Sequence, residues 1–193
     1  MKALFIRALL ALSLIGAVPA ALAGPTYQVT INAANQPAAR MLDLQFLALG
    51  SAEPAFAYLS NFSGNLDVLS LDNASGSLAD GFTIGNDTGF NSILFDLLSL
   101  GTIRFDVRFD TGAAGDGTTF SAALLDEAFG NLGAFDGDLL PVVQIELMPG
   151  IDDALRATAG LAQVNAVPEP SDWALVMTGL FLIGAMRRMQ SRR

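Results

Sequence analysis

The 193-residue sequence contains no cysteine and no histidine, and its one lysine is Lys2. Without cysteine, neither a disulfide nor a thiolate nucleophile is available. The absence of histidine excludes a Ser-His-Asp triad and a histidine-ligated zinc site. A Schiff-base lysine is excluded as well if the first residues are cleaved, because Lys2 would be removed with them. The chemistry that remains is that of carboxylates and of metals with oxygen ligands, such as calcium.

Positive charge is scarce in the central part of the chain, residues 24–166. Seventeen carboxylates and only four arginines give this part a formal charge of −13, and the arginines are Arg40, Arg104, Arg108 and Arg156. The whole-chain value is −9 because six of the ten basic residues lie near the two ends. This charge disfavours binding to nucleic acid and to an anionic membrane surface. We expect a soluble body that attracts cations.

The N-terminus has the organisation of a secretory signal. A basic start precedes an uncharged run over residues 8–18, and small residues follow at Ala21 and Ala23, just before Gly24. The alternative is an uncleaved anchor, but the run is short compared with the roughly 20 residues of a membrane-spanning helix. We therefore predict that signal peptidase removes residues 1–23.

A second apolar segment, residues 173–186, lies near the C-terminus. As a helix, these fourteen residues would cover only about 21 Å of a hydrocarbon core about 30 Å thick. Residues suited to a membrane boundary flank the segment, and they are Trp173, Arg187, Arg188, Arg192 and Arg193. Their side chains can reach the headgroup region, and the positive-inside rule places the C-terminus in the cytoplasm. An exported body would then be held at the opposite side by a C-terminal transmembrane helix.

The order of these C-terminal parts resembles the PEP-CTERM sorting signal of exosortase-bearing Gram-negative bacteria. The resemblance covers residues 167–193, and its motif is Pro168, Glu169 and Pro170. It implies that an exosortase recognises this motif as a substrate and processes the tail. The protein would be anchored in the inner membrane first, and would then pass to the cell surface or to extracellular polymer. Proline fixes φ and disfavours helix in the residue before it, which suits an accessible motif. The alternative is an ordinary helix that follows a proline-rich linker.

Residues 24–166 have the pattern of short strands separated by turns. Residues 27–32 and 103–110 alternate apolar and polar side chains, as half-buried strands do. Further strands are predicted over residues 41–49, 55–62, 65–71, 81–84, 120–125, 142–147 and 161–164. Residues 93–100 are ambiguous and could form a short helix, whereas residues 73–76 have turn composition. The pattern predicts one mostly β domain, an antiparallel β-sandwich, between an N-terminal signal helix and a C-terminal transmembrane helix.

Two loops rich in aspartate and glycine are candidate calcium sites. Their carboxylates belong to Asp110 and Asp116 in the first loop, and to Asp136 and Asp138 in the second. Carboxylate oxygens are suitable calcium ligands, although neither loop matches the EF-hand pattern. The same residues are common in ordinary solvated turns. The loops could share an ion if both lay at one end of the sandwich.

Three functions are compatible with such a body. The favoured one is an exported, non-catalytic surface or matrix protein that associates with exopolysaccharide or cations. The second is a dedicated carbohydrate-binding module with a defined ligand site. The third, and least favoured, is a glycosidase that uses a carboxylate pair such as Asp126 and Glu127 or Asp152 and Asp153. Because scattered carboxylates do not define a site, we predict a protein without catalytic activity.

Overall fold

The computed structural model describes residues 24–87, 89–135, 138–168 and 177–180. Two six-stranded antiparallel sheets pack face to face around one hydrophobic core. The strands of the described residues are β1 (Thr26–Asn32), β2 (Met41–Ala48), β3 (Phe56–Ser63), β4 (Leu66–Asp72), β5 (Ala74–Ser77), β6 (Gly81–Gly85), β7 (Ser92–Leu97), β8 (Thr102–Asp110), β9 (Thr118–Leu125), β10 (Gly133–Phe135), β11 (Asp138–Leu140), β12 (Val143–Leu147), β13 (Ala154–Ala157) and β14 (Ala162–Val167). A 3-10 turn, Ala33–Asn35, follows β1.

The strand order separates the chain into two layers. The first sheet has the order β14-β1-β8-β3-β6-β5, and the second sheet has the order β13-β12-β9-β2-β7-β4. Among the described strands, β10 and β11 form a separate two-stranded ribbon. The prediction of a mostly β body built as an antiparallel sandwich is therefore confirmed.

Alternation along the strands explains how the core forms. In β8, the side chains of Ile103, Phe105, Val107 and Phe109 are buried, whereas their neighbours point away from the core. Phe109 stacks on Phe46 of β2 in the second sheet, with ring centroids 5.8 Å apart. Offset aromatic pairs of this kind add to the free energy gained by burial. Phenylalanine contacts therefore join the two layers.

The ambiguous segment at residues 93–100 does not form a helix, because residues 93–97 belong to strand β7 and residues 98–100 follow it. Ile93, Phe95 and Leu97 are buried at every second position of β7, and this period of two matches a strand that has one face in the core.

The turn predicted over residues 73–76 is also wrong, because most of it belongs to β5. The chain bends at Asn73, which has φ of 46°, and passes from β4 of the second sheet to β5 of the first sheet, where β5 pairs with β6. Gly76 has φ of 130°, and a Cβ there would lie 2.1 Å from the carbonyl oxygen of Gly81. Only glycine fits this close approach.

Strands β10, β11 and β13 were not predicted.

The two ends of the sandwich domain lie side by side. Strand β14 continues to Val167, one residue beyond the predicted body, and Val167 pairs with Thr26 at the start of β1. Strand β1 lies between β14 and β8, so the first and last strands of the domain are neighbours. The chain therefore enters at Gly24 and leaves at Pro168 from the same end of the first sheet.

Candidate functional site

The outer side of the first sheet carries a continuous set of polar side chains. Residues that alternate with the buried positions of β14, β1, β8 and β3 must point outward, and the antiparallel register aligns them across the sheet. We call this surface the polar face, and its members are Thr26, Gln28, Thr30, Asn32, Phe56, Tyr58, Ser60, Thr102, Arg104, Asp106, Arg108, Asp110, Gln163 and Asn165.

Aromatic rings occupy one end of the polar face. Phe56 is 42% exposed, and its ring centroid lies 6.4 Å from that of Tyr58. The guanidinium carbon of Arg108 lies 4.5 Å from the centroid of the Tyr58 ring, which is a cation–π contact. Arg108 and Tyr58 thus support one another, and the Phe56 ring is left available to a ligand.

A carboxylate held by two amides lies in the middle of the polar face. Asp106 accepts hydrogen bonds from Asn61 Nδ2 at 2.7 Å and from Gln28 Nε2 at 3.4 Å. Asn61 belongs to a bulge in β3 and has φ of 55°, which brings its amide over the face. These bonds orient the carboxylate toward β1 and β3.

A shallow concavity of about 240 Å³ forms the other end of the polar face. Its lining comes from the end of β1, the start of β8 and the turn before β14, and includes Thr30, Asn32, Thr102 and Arg104. Hydroxyl, amide and guanidinium groups therefore converge where three chain segments meet.

The outer side of the second sheet has a different chemistry, with a buried carboxylate among apolar residues. Asp43 is 8% exposed and lies directly opposite Leu94 and Ala123. Its Oδ2 accepts from Gln45 Nε2 at 2.5 Å, whereas its Oδ1 has no hydrogen-bond partner. Burial raises the pKa of the Asp43 carboxyl; the Gln45 hydrogen bond opposes this shift, and the nearby charge of Asp72 adds to it.

The predicted calcium ligands do not form a cluster in the part of the chain that the structure describes. Asp110 is exposed at the end of β8, and Asp116 accepts from the backbone N–H of Ser51 at 2.9 Å. Asp136 lies outside the described residues, and Asp138 begins β11. Among the described residues, no three acidic side chains are grouped so that they could hold a metal ion. Calcium binding stays a prediction.

Each of the two acidic pairs considered for glycosidase chemistry contributes a structural hydrogen bond. Asp126 Oδ1 accepts from the backbone N–H groups of Ala128 and Gly130, at 2.9 and 2.7 Å, and so closes a turn. Asp153 Oδ2 accepts from the Tyr27 hydroxyl at 2.6 Å. Burial and this carboxylate raise the pKa of Tyr27, so the phenol stays protonated as the donor.

Most residues of the predicted export signals lie outside the described residues. Gly24 precedes β1, and Pro168 is exposed directly after β14. In the predicted membrane segment, residues 177–180 are described and helical. No helix in the described ranges has the length and hydropathy needed to cross a membrane. The remaining members lie outside those ranges, and they are Ala21, Ala23, Glu169, Pro170, Trp173, Arg187, Arg188, Arg192 and Arg193.

No protein-family model matches the chain, and comparisons with curated proteins and with solved structures find no match. The function is therefore inferred from the chemistry of the chain's own surfaces.

The sequence reasoning missed the polar face as a site. Alternation in residues 27–32 and 103–110 does predict which side chains leave the core. It does not show that Gln28 lies beside Asp106, or that Tyr58 lies beside Arg108, because those strands are far apart in sequence.

Proposed function

We propose that this protein is an exported, non-catalytic surface or matrix protein whose polar face associates with extracellular polysaccharide. The observation that carries the proposal is the composition of that face, where amides, hydroxyls and arginines share one surface with an exposed aromatic ring at its end. Sugar hydroxyls both donate and accept hydrogen bonds, which suits amide, carboxylate and guanidinium partners. The apolar face of a sugar ring can cover an aromatic ring such as Phe56, which is 42% exposed.

The shape of the polar face favours an extended ligand. Arg104 and Arg108 lie four residues apart on β8, which corresponds to about 14 Å along a strand. The face also crosses four neighbouring strands, from β14 to β3. A polymer chain could contact the aromatic end and the concavity at the same time, and several weak contacts would then combine.

The second part of the proposal concerns export and sorting. A signal peptide directs the body out of the cytoplasm, and a C-terminal transmembrane helix holds it at the inner membrane. An exosortase then acts at Pro168, Glu169 and Pro170 and passes the body to the cell surface or extracellular space. The pairing of Thr26 with Val167 supports the proposed topology, because it places both predicted membrane segments next to the same end of the folded sandwich.

A dedicated carbohydrate-binding module is the second candidate function. The concavity beside Arg104 favours it, because a defined ligand site requires a surface that encloses part of the ligand.

Substitution of the exposed aromatic ring tests the polysaccharide proposal. We expect Phe56→Ala to weaken binding of the full-length chain, in detergent, to its preferred polymer about fivefold, because stacking contributes about 1 kcal/mol. Dissociation constants would be measured by biolayer interferometry against immobilised neutral and acidic polysaccharides. Phe129→Ala is the matched control, since Phe129 is also exposed but lies in the turn after β9. Equal losses in both variants, or no binding to any polymer, would refute the proposal.

Mass spectrometry of the mature protein tests the sorting proposal. In a host that contains an exosortase, we expect an N-terminus at Gly24 and a C-terminus near Pro168 or Pro170. A variant with Pro168→Ala and Pro170→Ala should retain Arg193, because it lacks the motif. An intact Arg193 in the mature wild-type protein would contradict sorting.

A further inference from the structure

We propose that the concavity beside Arg104 binds the carboxylate of an acidic sugar residue within the polysaccharide. This inference rests on the proposed polysaccharide function and names the chemical class of its ligand. Arg104 makes the charged contact, and the surrounding hydroxyl and amide groups contact the sugar hydroxyls.

Arg104 is an exposed arginine without a partner among the described residues, where its guanidinium makes no hydrogen bond or ion pair. The other arginines of the polar face and of the 36–40 loop are engaged: Arg108 covers the Tyr58 ring, and Arg40 donates to the carbonyl groups of Pro37 and Ala39. Arg156 on β13 is likewise exposed and without a partner among the described residues, but it does not line the concavity, so the position of Arg104 beside the concavity is what distinguishes it. Its five N–H donors are available to a ligand.

The fold keeps the neighbouring carboxylate away from Arg104. Asp106 lies two residues further along β8 and on the same face, where it would be a natural ion-pair partner. Instead it accepts hydrogen bonds from Asn61 and Gln28. The amides thereby satisfy Asp106 and leave the positive charge of Arg104 directed to solvent.

The lining of the concavity carries no carboxylate, and two hydrogen bonds tie its backbone segments together. The turn before β14 is tied to the end of β1, because the backbone N–H of Asn32 donates to Leu161 at 2.8 Å and Asn35 Nδ2 donates to Gly160 at 3.3 Å. These bonds fix the backbone of two of the segments that line the concavity, and the hydroxyl groups of Thr30 and Thr102 belong to the same lining. The volume of about 240 Å³ is smaller than that of a typical drug-sized pocket and suits one residue of a polymer.

A carboxylate is the anion that these features favour. The planar guanidinium matches a carboxylate with two parallel hydrogen bonds. The acidic body repels every polyanion, and it repels a polyphosphate, with its denser charge, more than a polymer of sugar acids. A sugar acid places one charge beside several hydroxyl groups, which corresponds to the one arginine and the hydroxyl and amide groups of the concavity.

Two pairs of polymers test the inference: the members of one pair differ in free carboxyl groups, and the members of the other differ in sulfate groups. Binding of the full-length chain, in detergent, would be measured to polygalacturonate, to its methyl ester, to neutral dextran and to dextran sulfate, at physiological ionic strength, where repulsion between the acidic body and a polyanion is screened beyond about 8 Å. We expect polygalacturonate to bind about tenfold more tightly than its methyl ester, since a bidentate ion pair is lost on esterification. Arg104→Gln should remove this preference, because glutamine keeps a polar side chain but has no charge. Arg156→Gln is the matched control, since it removes the same charge from β13 in the second sheet.

The possible results distinguish failure of this inference from failure of the proposed polysaccharide function. Loss of the preference in Arg104→Gln alone supports the inference. Equal loss in both arginine variants, or equally tight binding to dextran sulfate, would show general attraction of anions and overturn it. Binding that depends on Phe56 but does not distinguish the acid from its ester would overturn the inference and leave the polysaccharide proposal standing. Absence of binding to all four polymers would refute both.

Discussion

Asn86→Ala is expected to lower the free energy of unfolding by about 3 kcal/mol, since it leaves several buried polar groups without partners. The Asn86 side chain is 3% exposed and makes three hydrogen bonds. Its Oδ1 accepts from the backbone N–H of Ala55 at 2.8 Å, and its Nδ2 donates to the carbonyl oxygen of Glu53 at 3.0 Å and to Thr118 Oγ1 at 2.9 Å. This one amide thus joins the loop before β3 to the end of β6 and the start of β9.

Thermal and urea unfolding followed by circular dichroism would measure the loss. For a domain of this size we expect the melting temperature to fall by roughly 6 to 12 °C. Asn86→Asp should be at least as damaging at neutral pH, because the new oxygen faces the Glu53 carbonyl and brings a charge into a buried site. Asn65→Ala is the control, since the exposed Asn65 amide makes one hydrogen bond, to Ser99. A change in Asn86→Ala as small as that in Asn65→Ala would contradict the assigned role.

The second large effect is a gain in stability at neutral pH from Asp43→Asn, which we expect to be about 2 kcal/mol. Asp43 is almost fully buried, one of its carboxylate oxygens has no hydrogen-bond partner, and Leu94 and Ala123 lie on either side. Asparagine keeps the acceptor for Gln45 and removes the buried charge; its neutral Nδ2 takes the place of the unpartnered Oδ1, and an unpaired neutral amide costs less than an unpaired charged oxygen. It also removes the repulsion between Asp43 and Asp72.

The gain should depend on pH in a defined direction. Because burial raises the pKa of Asp43 in the folded protein, the folded state holds its proton to higher pH than the unfolded state does. In the window between the unfolded and folded pKa values, the folded state binds more protons, so wild-type stability decreases as pH rises. Below the unfolded pKa of about 3.9, both states are protonated and the penalty is absent.

The difference in unfolding free energy between Asp43→Asn and wild type, measured from about pH 3.5 to pH 8, tests this prediction. It should be small at the acidic end, rise through the window and remain constant above it. Glu127→Gln removes one charge from an exposed turn and controls for the overall decrease in negative charge. A difference that is independent of pH, or one no larger than that of Glu127→Gln, would show that the charge at Asp43 is not the cause.

The strand pattern could be predicted wherever one face of a strand is buried and the other is polar. Strand β1 contains the predicted residues 27–32, and strand β8 contains the predicted residues 103–110. Each strand begins one residue earlier than predicted. The prediction failed at residues 73–76, where Asn73 and Gly76 have turn composition but hold β5 beside β6. It was ambiguous at residues 93–100, because a short apolar run has the same composition in a strand and in a helix.

The roles of single polar residues were harder to predict than the strands. Asp43 follows the same alternation as many exposed aspartates, and only the side chains on the neighbouring strands bury it. Asn86 lies in a segment rich in glycine, asparagine and aspartate, which is typical of an ordinary turn. Its three partners come from other parts of the chain, 31 to 33 residues away in sequence.

The sequence by itself determined what depends on residue type and local order: the absence of cysteine and histidine chemistry, the acidity of the body, and the alternation of its strands. The predicted export signals also depend on local order alone. Tertiary structure decided which strands are neighbours, and therefore that Thr26 lies opposite Val167 and that Thr30 lies opposite Arg104. The physical reason is that alternation arises within one strand, whereas register arises from the packing of strands distant in the chain. Only that packing gathers the polar face and leaves Arg104 without a carboxylate partner among the described residues.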